Sequence, residues 1–315
     1  GLVHFKDLTE LRAISVSGRR FTGEGLAHFK NLSELRYLHL YNTDVDDAGL
    51  MHLKGLTKLR VLYLTGTKVT DAGLEHLTGL DGLAALYLSR TKVTDAGMEH
   101  LGKLNSLANL DLGDTKVTDT GLAHLSRLDN LMALDLASTR VTGAGLVHLQ
   151  GMSKLRNLNL EDTWVKDAGL ESLEGLHNLS ELCLCDIQVT DVGVRHLQGL
   201  TNLRLLDLSD TKVTDAGLQY LKALGELREL KLRETQVTDA GLRHLQGLTS
   251  LRLLDLRDTQ VTDAGLAHLR GLQDLRMLDL RRTAVTREGA AVLHRALPNC
   301  GIDWTPPSSD KRQCR

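Results

Sequence analysis

Leu59-Arg60-Val61-Leu62-Tyr63-Leu64-Thr65-Gly66-Thr67-Lys68-Val69-Thr70-Asp71-Ala72-Gly73-Leu74-Glu75-His76-Leu77-Thr78-Gly79-Leu80-Asp81-Gly82 is one sentence that this chain writes twelve times over. The copies begin at Leu11, Leu35, Leu59, Leu83, Leu107, Leu131, Leu155, Leu179, Leu203, Leu227, Leu251 and Leu275, always 24 residues apart. A fixed period of this length means a stack of like units that bury one another's apolar faces, not a globule around one centre. The recurring residues build the frame, so function is to be sought at the positions that vary.

Each unit can be taken apart physically. Leu59 to Leu64 alternates apolar and variable residues, the period-2 mark of a half-buried strand. A Thr follows at the ninth position in ten of the twelve copies, where its hydroxyl can satisfy backbone groups as the chain leaves the strand. Thr70 then reads as a helix N-cap, Asp71 as a first-turn carboxylate at the positive end of the dipole, and Leu74, Leu77 and Leu80 as the buried stripe. Gly73 has a counterpart in every copy, which points to packing too close for a side chain.

Paired strands lie ~4.8 Å apart whereas packed helices need ~8–10 Å, so strands must line the inside of an arc and helices the outside. The expectation is a single elongated α/β array. It comprises a partial unit over 1–10, the twelve repeats over 11–298, a closing strand and cap over 299–305 and a disordered tail over 306–315. Gly1, Leu2, His4, Phe5 and Leu8 match the second half of a repeat, so the chain is expected to be a piece of a longer protein.

The unit resembles a leucine-rich repeat, with Thr where many members carry Asn or Cys. Its Thr-Asp-Ala-Gly-Leu wording is similar to the ribonuclease-inhibitor-like repeats of large bacterial proteins, planctomycete ones especially, and to the repeats of F-box proteins. The resemblance covers about residues 1–305. It implies a horseshoe-shaped leucine-rich-repeat solenoid with a concave parallel β-sheet and convex short helices. It also allows the chain to be the substrate-recognition arm of a larger regulatory protein, such as a ubiquitin-ligase subunit or a kinase-linked receptor.

Composition narrows the partners. A net charge of −2 gives no electrostatic reason for nucleic acid. No apolar run approaches the ~18 residues of a membrane span. Cys183, Cys185, Cys300 and Cys314 form no disulfide framework, and a reducing, cytoplasmic compartment is favoured. Phosphate-binding Gly loops, nucleophile elbows and zinc-protease motifs are absent, so neither catalysis, nor a cofactor, nor a small-molecule substrate is expected.

Two recurring residues imitate chemistry. The helix-position histidines, such as His52, His76 and His100, stand one unit apart, too far to converge on a metal, and are expected to bond a neighbour's loop carbonyl. The repeated Asp of Thr-Asp is explained by its place at a helix start.

The varying positions on the strand face say more. Tyr37, His39, Tyr41, Tyr63 and Tyr87 fall on one stretch of it, although the chain has only five tyrosines. Tyr gives large contact area at low entropic cost, which makes this stretch the leading candidate for binding a protein or peptide. Asp111, Asp135, Asp207 and Asp210 follow as candidate steering charges, among further acids interleaved with Lys231, Arg233, Arg257 and Arg281. Steering and mutual neutralisation both stay open for them. A secondary patch is expected at Trp164, Cys183, Cys185 and Ile187, where the wording lapses. Two thiols alone are an incomplete metal site, so no metal is expected.

Overall fold

The computed structural model describes residues 8–305. The proposed tail over 306–315, Cys314, His4 and most of the partial opening unit lie outside the described residues. The rest falls in two compact units, one ending at Asn159 and the other starting at Leu160.

The first unit holds the strands β1 (Ala13–Ser15), β2 (Tyr37–His39), β3 (Val61–Tyr63), β4 (Ala85–Tyr87), β5 (Asn109–Asp111), β6 (Ala133–Asp135) and β7 (Asn157–Asn159). They pair in chain order, all parallel, each residue opposite its equivalent one repeat on. The second unit repeats the arrangement with β8 (Glu181–Cys183), β9 (Leu205–Asp207), β10 (Glu229–Lys231), β11 (Leu253–Asp255), β12 (Met277–Asp279) and β13 (Gly301–Asp303). Each is an open parallel sheet with short helices on its other side, the solenoid that the period and the resemblance imply.

The apolar columns behave as their spacing requires. In the unit quoted first, Leu59, Leu62, Leu64, Val69, Leu74, Leu77 and Leu80 are all buried. Each such side chain contributes roughly 1.5–3 kcal/mol of transfer free energy. The ladder Thr also behaves as expected. Thr43, Thr67, Thr91 and their equivalents each donate from Oγ1 to the carbonyl of the Leu three residues earlier, at 2.6 Å for these three.

The helices are shorter than the sequence pattern suggests. Most consist of one α turn, such as α1 (Asp47–Leu50), α2 (Asp71–Leu74) or α4 (Asp119–Leu122), continued by a short 3-10 turn. α3 (Asp95–Leu101) is longer, and α9 (Arg287–Ala296) is the longest among the described residues. The repeated Asp does stand in the first turn, as Asp71 does in its helix, but its carboxylate is engaged elsewhere. What holds it is lateral. Asp71 accepts from the Thr94 N–H on Oδ1 and from the Thr94 hydroxyl on Oδ2, both at 2.7 Å. Asp95 does the same to Thr118, and Asp191 to Thr214 in the second unit.

This clasp also explains the Gly of the motif. A Cβ on Gly97 would lie 2.5 Å from Asp71 Oδ1, too close for any side chain. Thr, Asp and Gly are therefore one lateral device. The clasp is missing where Gly23 and Gly143 replace the Asp and, in the following repeat, Asp46 and Lys166 replace the Thr.

At the C-terminal end β13 pairs with β12, and the Trp304 indole N–H donates to the Val285 carbonyl at 2.6 Å. Among the described residues no helix is long and apolar enough to cross a membrane.

Candidate functional site

The parallel register turns the fifth residue of each repeat into a column across the strand face. In the first unit it runs His39, Tyr63, Tyr87, Asp111, Asp135, Asn159. The first three form a continuous aromatic ladder. The His39 and Tyr63 rings lie 4.4 Å apart with planes tilted at 53°, and the Tyr63 and Tyr87 rings stack parallel at 4.0 Å. Burial, helped by the adjoining Tyr63 phenol, pushes the Tyr87 hydroxyl up to about 12. Tyr37 stands in the next column beside the shorter Val61 and Ala85 and remains 47% exposed. Tyr41 is likewise exposed. His39, Tyr63 and Tyr87 are thus brought together in one column with Tyr37 in the next, while Tyr41 follows the strand and is exposed.

Asp111 and Asp135 continue the same column. Each folds one oxygen back onto the backbone, Asp111 taking the Gly113 N–H and Asp135 the Ala137 N–H, both at 2.9 Å. The second oxygen of Asp135 takes the Asn159 amide at 3.1 Å. No Lys or Arg pairs with either acid among the described residues. Burial raises Asp111 to about 6, opposed by the Gly113 bond and reinforced by the charge of Asp135.

In the second unit the same column is matched by cations. Asp207 takes the Ser209 N–H on one oxygen and Lys231 Nζ on the other, at 3.0 and 3.1 Å. Arg257 grips Asp255 through Nε and a terminal nitrogen, at 3.0 and 2.6 Å, and reaches Asp279 at 3.2 Å. Arg281 holds Asp279 in the same manner. Burial works against the Asp279 carboxylate but is outweighed by the bonds and charge of Arg281 and by Arg257, so it sits below the usual carboxylate range.

The eighth position, counted in the sequence as charge, has a backbone cause. Asn42, Asp114, Asp162, Asp186, Asp210 and Asp258 all have φ near +50°, the left-handed region that Asn and Asp tolerate best after Gly. Asp210 is also paired to Arg233 at 2.6 Å. Its recurrence is therefore a turn requirement first.

The secondary patch needs one correction. Ile187 is only 1% exposed, because it fills the buried slot that the ladder Thr occupies elsewhere, so it offers no surface. Trp164, by contrast, is 62% exposed. Cys183 and Cys185 are free thiols on the strand face, with sulfurs 3.0 Å apart. The hydrogen bond from Cys185 lowers the Cys183 thiol, and bonding to Cys183 pushes Cys185 up. Glu161, which the sequence analysis passes over, brings a carboxylate oxygen within 4.8 Å of both sulfurs. The signal was there, since Glu161 stands one period before Cys185.

Two of the helix-position histidines depart from expectation in their partners, and a third, His76, keeps a buried Nδ1 with no hydrogen-bond partner. His196 Nδ1 meets Glu174 at 2.6 Å and His268 Nδ1 meets the Gln246 amide at 2.8 Å, side chains of the preceding repeat rather than loop carbonyls. Loop carbonyls are instead taken by asparagines, Asn130 to Asn105 and Asn202 to His177.

A leucine-rich repeat region model matches residues 2–241, and a further leucine-rich repeat model matches residues 247–269. The chain belongs to the leucine-rich repeat family. Among solved structures it is similar to an internalin of Listeria monocytogenes, with a TM-score of 0.71 at 20% identity over 98% of this chain and 89% of that one. Internalin C2 of the same species gives 0.55 at 26% identity over 67% and 84%. A leucine-rich repeat protein of Leptospira interrogans gives 0.55 at 18% identity over 95% and 91%. No curated protein matches the sequence. These likenesses concern the fold. Leucine-rich repeat proteins generally mediate protein–protein interaction.

Proposed function

We propose that this leucine-rich repeat protein is a non-catalytic scaffold that holds a protein or peptide segment on the strand face of its first unit. The supporting observation is the single column in which an aromatic ladder, His39–Tyr63–Tyr87, runs into two carboxylates without a cationic partner, Asp111 and Asp135. Aromatic anchors of this kind contribute ~2 kcal/mol or more each when a partner covers them. Tyr37 and Tyr41 widen the patch. The adjoining acids favour a segment carrying Arg or Lys, whose side chain also gains ~0.5–2 kcal/mol against a tyrosine face. Asp207 and Asp210 belong to the wider acidic surface, but Lys231 and Arg233 already match them, so the selecting charge is placed on Asp111 and Asp135. Trp164 is kept as a second, apolar contact point. Within the family, the Thr-Asp-Ala-Gly-Leu wording supports a place among the ribonuclease-inhibitor-like members.

The test selects random displayed peptides on the whole chain and measures the winners by fluorescence polarisation. They should carry a basic residue near an aromatic or aliphatic one. They should bind the Tyr220→Ala protein normally and fail on the Tyr63→Ala/Tyr87→Ala protein. Winners that bind the double variant unchanged would refute the site.

A further inference from the structure

We propose that Glu161, Cys183 and Cys185 form a zinc site on the strand face of the second unit, with one coordination position left open. Cys183 closes β8 and Cys185 stands two residues on, in the turn that leaves the strand, with its side chain brought to the same side as that of Cys183. The backbone locks the neighbouring repeat beside them. Leu160 N–H donates to the Cys183 carbonyl at 2.9 Å and Asp162 N–H to the Cys185 carbonyl at 3.1 Å, which sets Glu161 alongside the pair. Among the described residues this is the one group of three such donors drawn so close together, all within 4.8 Å.

The sulfurs are turned toward one another at 3.0 Å. They are not joined as a disulfide, whose S–S bond is ~2.05 Å. A metal is well served. Tetrahedral zinc with bonds of ~2.3 Å holds two sulfurs ~3.8 Å apart, a separation that small rotations of the two side chains supply. The donor set also selects among metals. Two thiolates exclude the oxygen-seeking magnesium and calcium, and a carboxylate in third place suits zinc better than the all-sulfur preference of cuprous copper.

The surroundings fit a charged centre. Asp207, opposite Cys183 in the next strand, spends its oxygens on Ser209 and Lys231 and is no ligand. Lys231 stands in the same column two strands on from Cys183, where its ammonium would offset part of the negative charge of the donor set. Three protein ligands and an open fourth place are the pattern of zinc that takes up an outside group. A His, Cys or carboxylate of a partner, or water, would fill it.

The test titrates the metal-free, whole chain with zinc against a chromophoric chelator, in a non-thiol reductant, with folding followed by circular dichroism. One zinc per chain is expected. Cys183→Ser and Cys185→Ser should each weaken binding by at least about tenfold, the scale seen even for outer partners of a metal site, and Glu161→Gln by about tenfold. Cys300→Ser, which removes a buried thiol elsewhere in the same unit, should bind as the parent does. Cobalt in place of zinc should show thiolate-to-metal charge transfer that both Cys183→Ser and Cys185→Ser lose. No stoichiometric zinc, or zinc held equally by both cysteine variants, would overturn the proposal. So would Glu161→Gln binding unchanged, since the third donor is then not a ligand.

Discussion

The strand faces of the two units carry the same column in the same register and use it in opposite ways. In the second unit Asp255 and Asp279 are followed two residues later by Arg257 and Arg281, which turn back and cover them. In the first, Asp111 and Asp135 are followed by Gly113 and Ala137, which cannot. For Asp255 and Asp279 the cation comes from the seventh residue of the same repeat, and for Asp207 from Lys231, the fifth residue of the next, so neighbours on the face decide whether an acid keeps its charge for itself or for a partner. The number of acids on a face is therefore a poor guide to its potential. The second region neutralises itself, while the first pairs its acids with an aromatic ladder and no cation.

The largest expected effect comes from breaking the ladder. Tyr63→Ala/Tyr87→Ala should reduce capture of a selected basic peptide by about a hundredfold or more, since two stacked anchors go at once. Circular dichroism should stay unchanged, because both rings lie outside the leucine core. Next in size is the opposite operation on the second region. Arg257→Gln removes the cation shared by Asp255 and Asp279, both almost fully buried as residues. Stripping one partner from such a cluster should cost about 2 kcal/mol in urea unfolding, reduced from the fully buried case because Arg257 itself is partly exposed. An unfolding midpoint within error of the parent would mean that these pairs are surface ornament, and the contrast between the regions would lose its energetic content.

Making the first region resemble the second is the sharper experiment. Ala137→Arg sets beside Asp135 the same neighbour that Asp255 has in Arg257. The added guanidinium should fold back on the carboxylate and weaken capture of the basic peptide by about tenfold, with stability nearly unchanged. Unaltered capture would show that the acids do not contribute and that the aromatics alone define the site.

Much of this was legible in the period. The strand, the buried stripe, the ladder Thr and the packing Gly each sit where residue spacing and elementary sterics put them. Thr70, by contrast, precedes its helix as an N-cap would but gives its hydroxyl to Asp47 and caps no helix N–H. What escaped was lateral. Within a single repeat Asp71 has only the helix start as a partner, yet its bonds are to Thr94 in the next. Glu161 escaped for the same reason, since its relevance to Cys185 appears only when columns are read across repeats. At Ile187 a change of wording is not a change of surface, because the slot it fills is buried whatever occupies it. The Asp at the eighth position looked like steering charge because a positive φ leaves no other trace in a sequence.

The smallest effect separates the two regions by pH. Asp111 titrates at about 6 in the folded protein, above the ordinary 3.8, so between these values the unfolded chain has released a proton that the native one still holds. Stability contributed by this group is present below 3.8 and lost as pH rises through 6. Asp111→Asn removes that loss and keeps an acceptor for the Gly113 N–H. The variant should therefore gain on the parent between pH 4 and pH 8, by about 1 kcal/mol once partial exposure is allowed for. Asp279 has the opposite sign. Its carboxyl is lowered, so its contribution is present above 3.8 and lost as pH falls through the lowered value, and Asp279→Asn should cost stability at neutral pH. Capture of the basic peptide by the parent should also weaken below about pH 6, as Asp111 takes up its proton, and should lose that step in Asp111→Asn. Two aspartates of one column whose substitutions move stability in opposite directions would establish that the faces differ in electrostatic purpose. Two that move it alike would reduce the difference to burial alone.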